Sequence, residues 1–186
     1  MIRHATHKDS IDVEISSTIV NINSPILVAS ARDITDRKQA EKELQIKNRI
    51  SNSFIYSKQE DFYKDVLDIF KELFVSEYGF FGYINEEGDF VSKSMTKDIF
   101  YKCQIKDKSI IFPKDKWIGL WGDALKCKKT LYQNGNLQFP KGHIHLQNAI
   151  AAPLVINNTL IGQIALGNKE SYFNENDKQS LNNLCD

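Results

Sequence analysis

The chain is poor in the residues that build covalently or metal-held scaffolds. Its only cysteines are Cys103, Cys127 and Cys185, spread along 186 residues. No two of them stand in C-x-x-C spacing, and three distant thiols make neither a zinc knuckle nor a secreted disulfide framework. A reducing, cytoplasmic setting is the expectation. With four prolines and nine glycines, collagen-like and low-complexity classes are excluded. Charge of one sign is not in excess either: Lys and Arg total 24, Asp and Glu total 24. Without a net positive field to gather phosphates, no nucleic-acid partner is expected. No apolar run approaches the roughly 20 residues that cross a bilayer, and Met1-Ile2-Arg3-His4 opens no apolar signal core. No membrane contact by this chain is expected.

What is present is a hydrophobic share of 41%, enough for a core and against disorder of the whole chain. Ile11 to Val20 alternates with Ile11, Val13 and Ile15 on one side, and Pro25 to Asp33 is a second β-rich run. Asn21 to Pro25 between them is turn chemistry, so the two read as a hairpin. Such a hairpin alone is marginal and wants more sheet or a partner chain. The period then changes: Thr35 is a candidate cap, Asp36 suits the positive end of a helix, and strong helix formers follow. Ala40, Leu44, Ile46, Ile50, Phe54 and Ile55 fall on about half the helix circumference. Two readings stay open here, a solvated helix packed on its own domain and a dimerising connector.

Lys8-Asp9-Ser10, Ile11-Asp12-Val13-Glu14 and above all Ala31-Arg32-Asp33-Ile34-Thr35-Asp36-Arg37 resemble the end of a PAS sensor domain running into its signalling helix. The resemblance implies that Asp33 and Thr35 end the last strand and anchor the exit helix, with Asp33 paired to Arg37. It implies residues 1–34 as a PAS fragment, 35–56 as signalling helix and 57–186 as a further domain, and a homodimer through that helix.

In that further domain, Ser57-Lys58-Gln59-Glu60 is a capping-box pattern ahead of Phe62, Val66, Ile69, Phe70 and Leu73 at helical spacing. Tyr78 to Ile84 and Asp89 to Ser94 flank the loop Asn85-Glu86-Glu87-Gly88 as a hairpin. Gly79 and Gly82 inside the first of these strands predict close backbone approach or a bulge. Thr96 opens a short helix ending near Cys103, and Ser109 to Phe112 is a brief strand stopped by Pro113. Trp117-Ile118-Gly119-Leu120-Trp121-Gly122 leads into a helix, where the glycines serve either packing or an anion at the helix start. An irregular loop is expected from Asn134 to His145. Ala149 to Ile156, Asn157-Asn158 and Thr159 to Leu166 form the strongest hairpin, apolar enough for the centre of a sheet. Asn174 with Asp177 three positions on caps a last helix whose Leu181 and Leu184 point inward. The order gives an α+β fold with a central antiparallel sheet and flanking helices.

Tyr78 to Ile84, Ser94-Met95-Thr96, Trp117 to Leu125, Pro140-Lys141-Gly142-His143, Ala152-Pro153-Leu154, Ile161-Gly162 and Asn168-Lys169-Glu170 together resemble a GAF domain. The kind meant stands beside PAS domains in sensor histidine kinases of two-component systems. The resemblance implies a GAF-like sheet and a pocket for a small molecule. Met95, Cys103, Trp117, Trp121, Tyr132, Phe139 and His143 are the candidate lining residues, the aromatics among them able to stack on a flat ligand. Cys103 with His143 is a candidate haem anchor, against a buried structural thiol and a loop-fixing hydrogen bond. His143 and His145 alternate and point to opposite faces, which disfavours one shared metal, and His145 is expected to be exposed.

A GAF-like family reduces methionine sulfoxide with pocket cysteines. The corresponding positions here are Leu120 or Trp121, and Asn148 or Ala149, so the thiols that chemistry needs are missing. No phosphoacceptor helix, nucleotide-binding catalytic segment, nucleophile elbow or metalloprotease helix is present. The expectation is a non-catalytic sensory module whose pocket moves its flanking helices, with a ligand-free scaffold or dimerisation module as the rival.

Overall fold

Residues 11–21, 23–102, 104, 110–138 and 142–185 are described by a computed structural model of the chain. Backbone proximity divides it into two units, Met1–Gln45 and Ile46–Asp186.

In the first unit, the alternating runs form β1 (Val13–Asn21) and β2 (Pro25–Asp33), paired antiparallel from Val13↔Asp33 to Asn21↔Pro25. Both faces stay open: Ile15 and Leu27 on one are 73% and 67% exposed, and Ile26 and Val28 on the other 49% and 53%. The helix α1 (Thr35–Tyr56) follows at once. Its start departs from expectation in two ways. The cap is Asp33, whose Oδ1 accepts the Thr35 N–H at 2.9 Å, while the Thr35 hydroxyl accepts the Asp12 N–H at 3.0 Å. These Thr35 bonds hold the Asp33 carboxyl below its usual range. Arg37 therefore pairs with Glu14 at 3.4 Å and Glu41 at 3.9 Å, not with Asp33. Ile34 is buried and donates its N–H to Asp12 O at 2.8 Å, tying the helix start to the head of β1.

In the second unit, α1 contributes Ile46, which is buried, and Ile50, packed against the core, but Phe54, Ile55 and Tyr56 remain exposed. The helix α2 (Gln59–Phe74) is amphipathic as its period predicts, with Val66, Leu67, Ile69, Phe70 and Phe74 buried. The capping box is not made. Lys58 occupies the N-cap without a side-chain bond, because the Ser57 hydroxyl donates instead to Asp65.

Arg49 of α1 grips Glu72 of α2 through two bonds, 3.3 and 2.7 Å. The Arg49 hydrogen bond, then its charge, lowers the Glu72 pKa. A lowered carboxylate pKa adds stability that is full above the unfolded value and fades as pH falls through the folded one. Thermal unfolding between about pH 6 and pH 3, a span bracketing ordinary carboxylate values, is therefore expected to fall less steeply for Glu72→Gln than for the wild type. Parallel curves would remove Glu72 from the acid response.

The sheet comprises β3 (Ser76–Ile84), β4 (Phe90–Met95), β5 (Ile111–Phe112), β6 (Leu131–Asn134), β7 (Asn148–Ile156) and β8 (Thr159–Lys169). Their order is β5-β4-β3-β8-β7-β6, with every neighbouring pair antiparallel. Between β3 and β4 lies the bulge foreseen at the glycines. The Asn157-Asn158 turn has both residues at positive φ, 49° and 64°, the geometry two-residue hairpins require. The edge strand β6 is an addition to the expected elements, and it takes in Asn134, where the loop was expected to begin; pairing with β7 makes it a strand.

One face of the sheet carries Phe81, Ile150, Ala152, Ile164 and Leu166, which pack against α2 and α5 (Glu175–Cys185) as the main core. The opposite face carries α4 (Gly119–Cys127), packed on Ala151 and Ala165; α3 (Lys97–Lys102) follows β4. Gly122 in α4 is a packing glycine: a Cβ there would lie 2.3 Å from the Trp117 carbonyl carbon. The helix α5 starts on the reciprocal cap its sequence predicts, Asp177 N to Asn174 Oδ1 at 3.1 Å and Asn174 N to Asp177 Oδ2 at 3.0 Å. Among the described residues, no helix is long and apolar enough to cross a membrane.

Candidate functional site

The face beneath α4 is built from small side chains where the other is built from large ones. Residues facing each other across adjacent strands share a face, so Ala151↔Ala165, Ala149↔Gly167 and Phe80↔Met95 mark a floor that runs from β4 to β7. Ala124 of α4 closes on Ala151 and Ala165, with Phe80, Trp121 and Leu131 around them. Over Gly167 lies Leu146, whose Cδ1 would be 3.0 Å from any Cβ at that position. Buried Ile144 belongs to the same covering segment.

Toward β5 the floor is filled by rings. Trp121 meets Phe112 at 5.5 Å, Phe90 at 6.1 Å and Phe80 at 6.2 Å between centroids. Trp117 is 2% exposed and donates its Nε1–H to Phe112 O at 3.0 Å. It is a core residue holding the β5 end in place. Met95 sits half-buried at the end of β4, beside Phe80. These three residues of the expected set, Met95, Trp117 and Trp121, therefore share one side of the sheet.

Tyr132 does not join them. Its neighbour Leu131 faces α4, and Tyr132 packs with the main core on the α2 and α5 side. A pocket walled by Trp121 and Tyr132 together is excluded by the strand's alternation, which sends successive residues to opposite faces. Partial desolvation, then a hydrogen bond with Glu175, raises the Tyr132 pKa. His143 is half-buried with Nδ1 2.7 Å from Ile144 O, and His145 is exposed. Cys103 and Phe139 lie outside the described residues, so the Cys103–His143 haem pairing is not placed. Among the described residues, no cluster of three or more His, Cys, Asp or Glu side chains has a metal-holding arrangement. Cys127 is exposed at the end of α4, its thiol 3.7 Å from Ala124 O.

The residue that sequence reasoning missed is Gln163. It sits in the middle of β8 on the α4 side, is 0% exposed, and donates Nε2–H to Trp121 O at 2.9 Å. The signal was there: an amide inside the otherwise apolar run Leu160 to Leu166.

The far end of the same strands carries a second polar assembly. Asn148, buried, exchanges two bonds with the backbone of Lys169, 3.0 and 2.8 Å. Asn134 does the same to buried Phe173, at 2.8 and 3.0 Å. Lys169 Nζ lies 2.6 Å from both carboxylate oxygens of Asp177, with the pair only 14% and 15% exposed. The start of α5 is thus bonded to the ends of β6 and β8, and through Lys169 to the start of β7.

A small-residue sheet face under a short helix, backed by two helices on the other face, defines an α+β sandwich domain. A family model described as GAF domain matches residues 58–186, and the chain belongs to that family. A sensor of Methanosarcina acetivorans, named as methyl sulfide methyltransferase-associated, is 26% identical over 92% of the chain. The chain spans 18% of the length of that curated relative. Among solved structures, the nlh2 GAF domain of A. aeolicus is similar at a TM-score of 0.56 and 19% identity, covering 80% of this chain and 93% of that one. The GAF domain of an Acinetobacter phosphoenolpyruvate-protein phosphotransferase reaches 0.60 at 11% identity, covering 80% and 88%. Free methionine-R-sulfoxide reductase of Neisseria meningitidis reaches 0.56 at 19%, covering 84% and 88%. At these identities the likeness is one of fold.

Proposed function

We propose that this chain is a non-catalytic sensory module of a signal-transduction protein, which takes a small molecule on the α4 side of its sheet and reports through its flanking helices. The observation that carries the reading is the asymmetry of the sheet. Bulky Val66, Leu67, Phe70 and Phe74 of α2 pack one face, whereas Ala149, Ala151, Ala165 and Gly167 floor the other. Ala124 of α4 closes over these small side chains, with Ala124, Ala151 and Ala165 at 0%, 1% and 7% exposed, so a guest enters there by lifting α4 and the irregular segments beside it. Membership in the GAF family and similarity to a protein named as a sensor support the same reading.

Several finer points belong to this proposal. Residues 1–34 are the end of a PAS domain, a reading supported by the Asp33–Thr35 junction and by the two open faces of the β1–β2 hairpin. The parent protein is a sensor histidine kinase. Exposed Leu44, Phe54 and Ile55 on α1 support a homodimer through that helix. The positions that resemble the thiol sites of the sulfoxide-reducing family, Leu120 or Trp121 and Asn148 or Ala149, carry no cysteine, which supports a module without catalysis.

A guest that binds one pocket geometry shifts a two-state equilibrium by its differential affinity. At about 100 times its Kd it adds about 2.7 kcal/mol, or roughly 5–10 °C in Tm for a chain of this size. Native mass spectrometry of the purified chain, followed by a thermal-shift screen of neutral aromatic compounds, is expected to find a bound species or such a shift. No bound mass and a flat screen would leave the scaffold reading in its place.

A further inference from the structure

Among the described residues, Gln163 Oε1 is the one buried side-chain polar atom without a hydrogen-bond partner. The amide cannot turn to help itself, because swapping its ends would set Oε1 against the Trp121 carbonyl that Nε2 now satisfies at 2.9 Å. Nor do its neighbours in the sheet help. Gly82 and Pro153 lie opposite it, and neither has a side-chain donor. A buried acceptor left unpaired is costly, so an amide kept at the centre of an apolar strand calls for a donor from elsewhere.

We infer that Gln163 Oε1 is the polar contact of the site under α4, accepting an N–H or O–H of the guest. The inference rests on the ligand-binding reading above and adds the chemistry of the ligand. Gln163 stands one pleat from Ala165 on the same face, about 7 Å along the strand, and its amide is bonded to the first turn of the helix that covers the floor. Phe80, Met95, Trp121, Ala149 and Ala165 share that face and bear no charge. An ionic guest would lose its hydration there without a counter-charge among them. The class implied is a neutral, ring-sized, mostly apolar molecule with one hydrogen-bond donor. The same contact gives the guest a grip on α4, since Gln163 would bond the guest with one end of its amide and Trp121 with the other.

The test compares indole, which has an N–H donor, with 1-benzothiophene, which has nearly the same shape and none. Binding to the full chain is measured by calorimetry, with the Gln163 side-chain amide followed by NMR. The wild type is expected to bind indole about tenfold more tightly, the worth of one net hydrogen bond, with a shift in the Gln163 amide signals. Gln163→Met, near-isosteric and without the acceptor, is expected to bind the two equally; Gln163→Leu serves in its place if the methionine variant does not fold. Equal binding by the wild type, or a preference that persists in the variants, overturns the role of Gln163 while leaving the pocket intact. Binding of neither probe overturns this ligand class, and the thermal-shift screen above then decides whether the pocket reading falls with it.

Discussion

Gly82→Ala is expected to destabilise the chain by about 3 kcal/mol or more, the upper end of what overfilling a core does. A Cβ at position 82 would lie 2.0 Å from the Val91 carbonyl oxygen and 2.8 Å from a ring carbon of Phe90. The ring can turn aside; the backbone oxygen cannot, because Tyr83↔Val91 pairing holds it in the ladder. The strand pair must therefore open at the bulge, and β3 lies between β4 and β8, so both neighbours are disturbed. Gly88→Ala is the control. It has positive φ, 84°, but nothing within 4 Å of the added Cβ, and should cost only about 1–2 kcal/mol for the left-handed backbone. Urea unfolding of the three proteins checks this; similar midpoints for both variants would mean that the bulge relaxes freely.

Asp177→Ala is expected to cost about 2–4 kcal/mol, and to loosen α5 first. The carboxylate does two jobs at once, receiving Lys169 at 2.6 Å on both oxygens and the Asn174 N–H at 3.0 Å. Losing a cap costs about 1 kcal/mol. Breaking an ion pair that keeps 14% and 15% exposure adds about 1–3 kcal/mol, less than for a fully buried pair, because the remaining ammonium loses its carboxylate but keeps some water and its place 5.7 Å over the Phe173 ring. By contrast, Asp68→Ala breaks the exposed pair with Lys64, 3.8 Å apart, and belongs within about 0.5 kcal/mol of wild type. Chemical denaturation ranks the variants, and amide exchange locates the loosened segment. If Asp177→Ala matches Asp68→Ala, the ties at the start of α5 do not hold that helix to the sheet.

Those ties matter for the functional account because α5 leaves the sheet at the ends of β6, β7 and β8, the strands whose other-face residues Ala149, Ala151 and Ala165 floor the proposed site. In the proposed function, Asn134, Asn148 and the Lys169–Asp177 pair are the bonds through which movement of these strands would reach α5, which the exchange measurement below tests.

The parts of this arrangement that were legible in the sequence are those set by neighbours along the chain. Asn157-Asn158 between two apolar runs names its turn, Asn174 and Asp177 name a helix start, and the period of Phe62 to Phe74 names a buried helical face. What failed depended on a partner far away. Ser57 is drawn from its cap by Asp65, and Asp33 caps α1 while Arg37 finds Glu14 on β1. Four residues such as Leu-Tyr-Gln-Asn carry too little alternation to declare an edge strand, and without β6 the face of Tyr132 had no reference. The candidate site was legible in its aromatics and not in its geometry: Trp117 and Trp121 share the α4 side, but as a ring cluster bonded to β5 and packed on Phe80 and Phe90. Gln163 was visible only as an anomaly in an apolar strand, and its meaning needed the Trp121 carbonyl above it.

Hydrogen exchange of α5 amides with the site empty and then saturated tests the central claim most directly. The account predicts that a guest which protects β7, β8 and α4 also changes the exchange of Glu175–Cys185 several-fold, and that Asp177→Ala abolishes the second effect while sparing the first. Saturation that protects the sheet and leaves α5 unchanged in the wild type would contradict it.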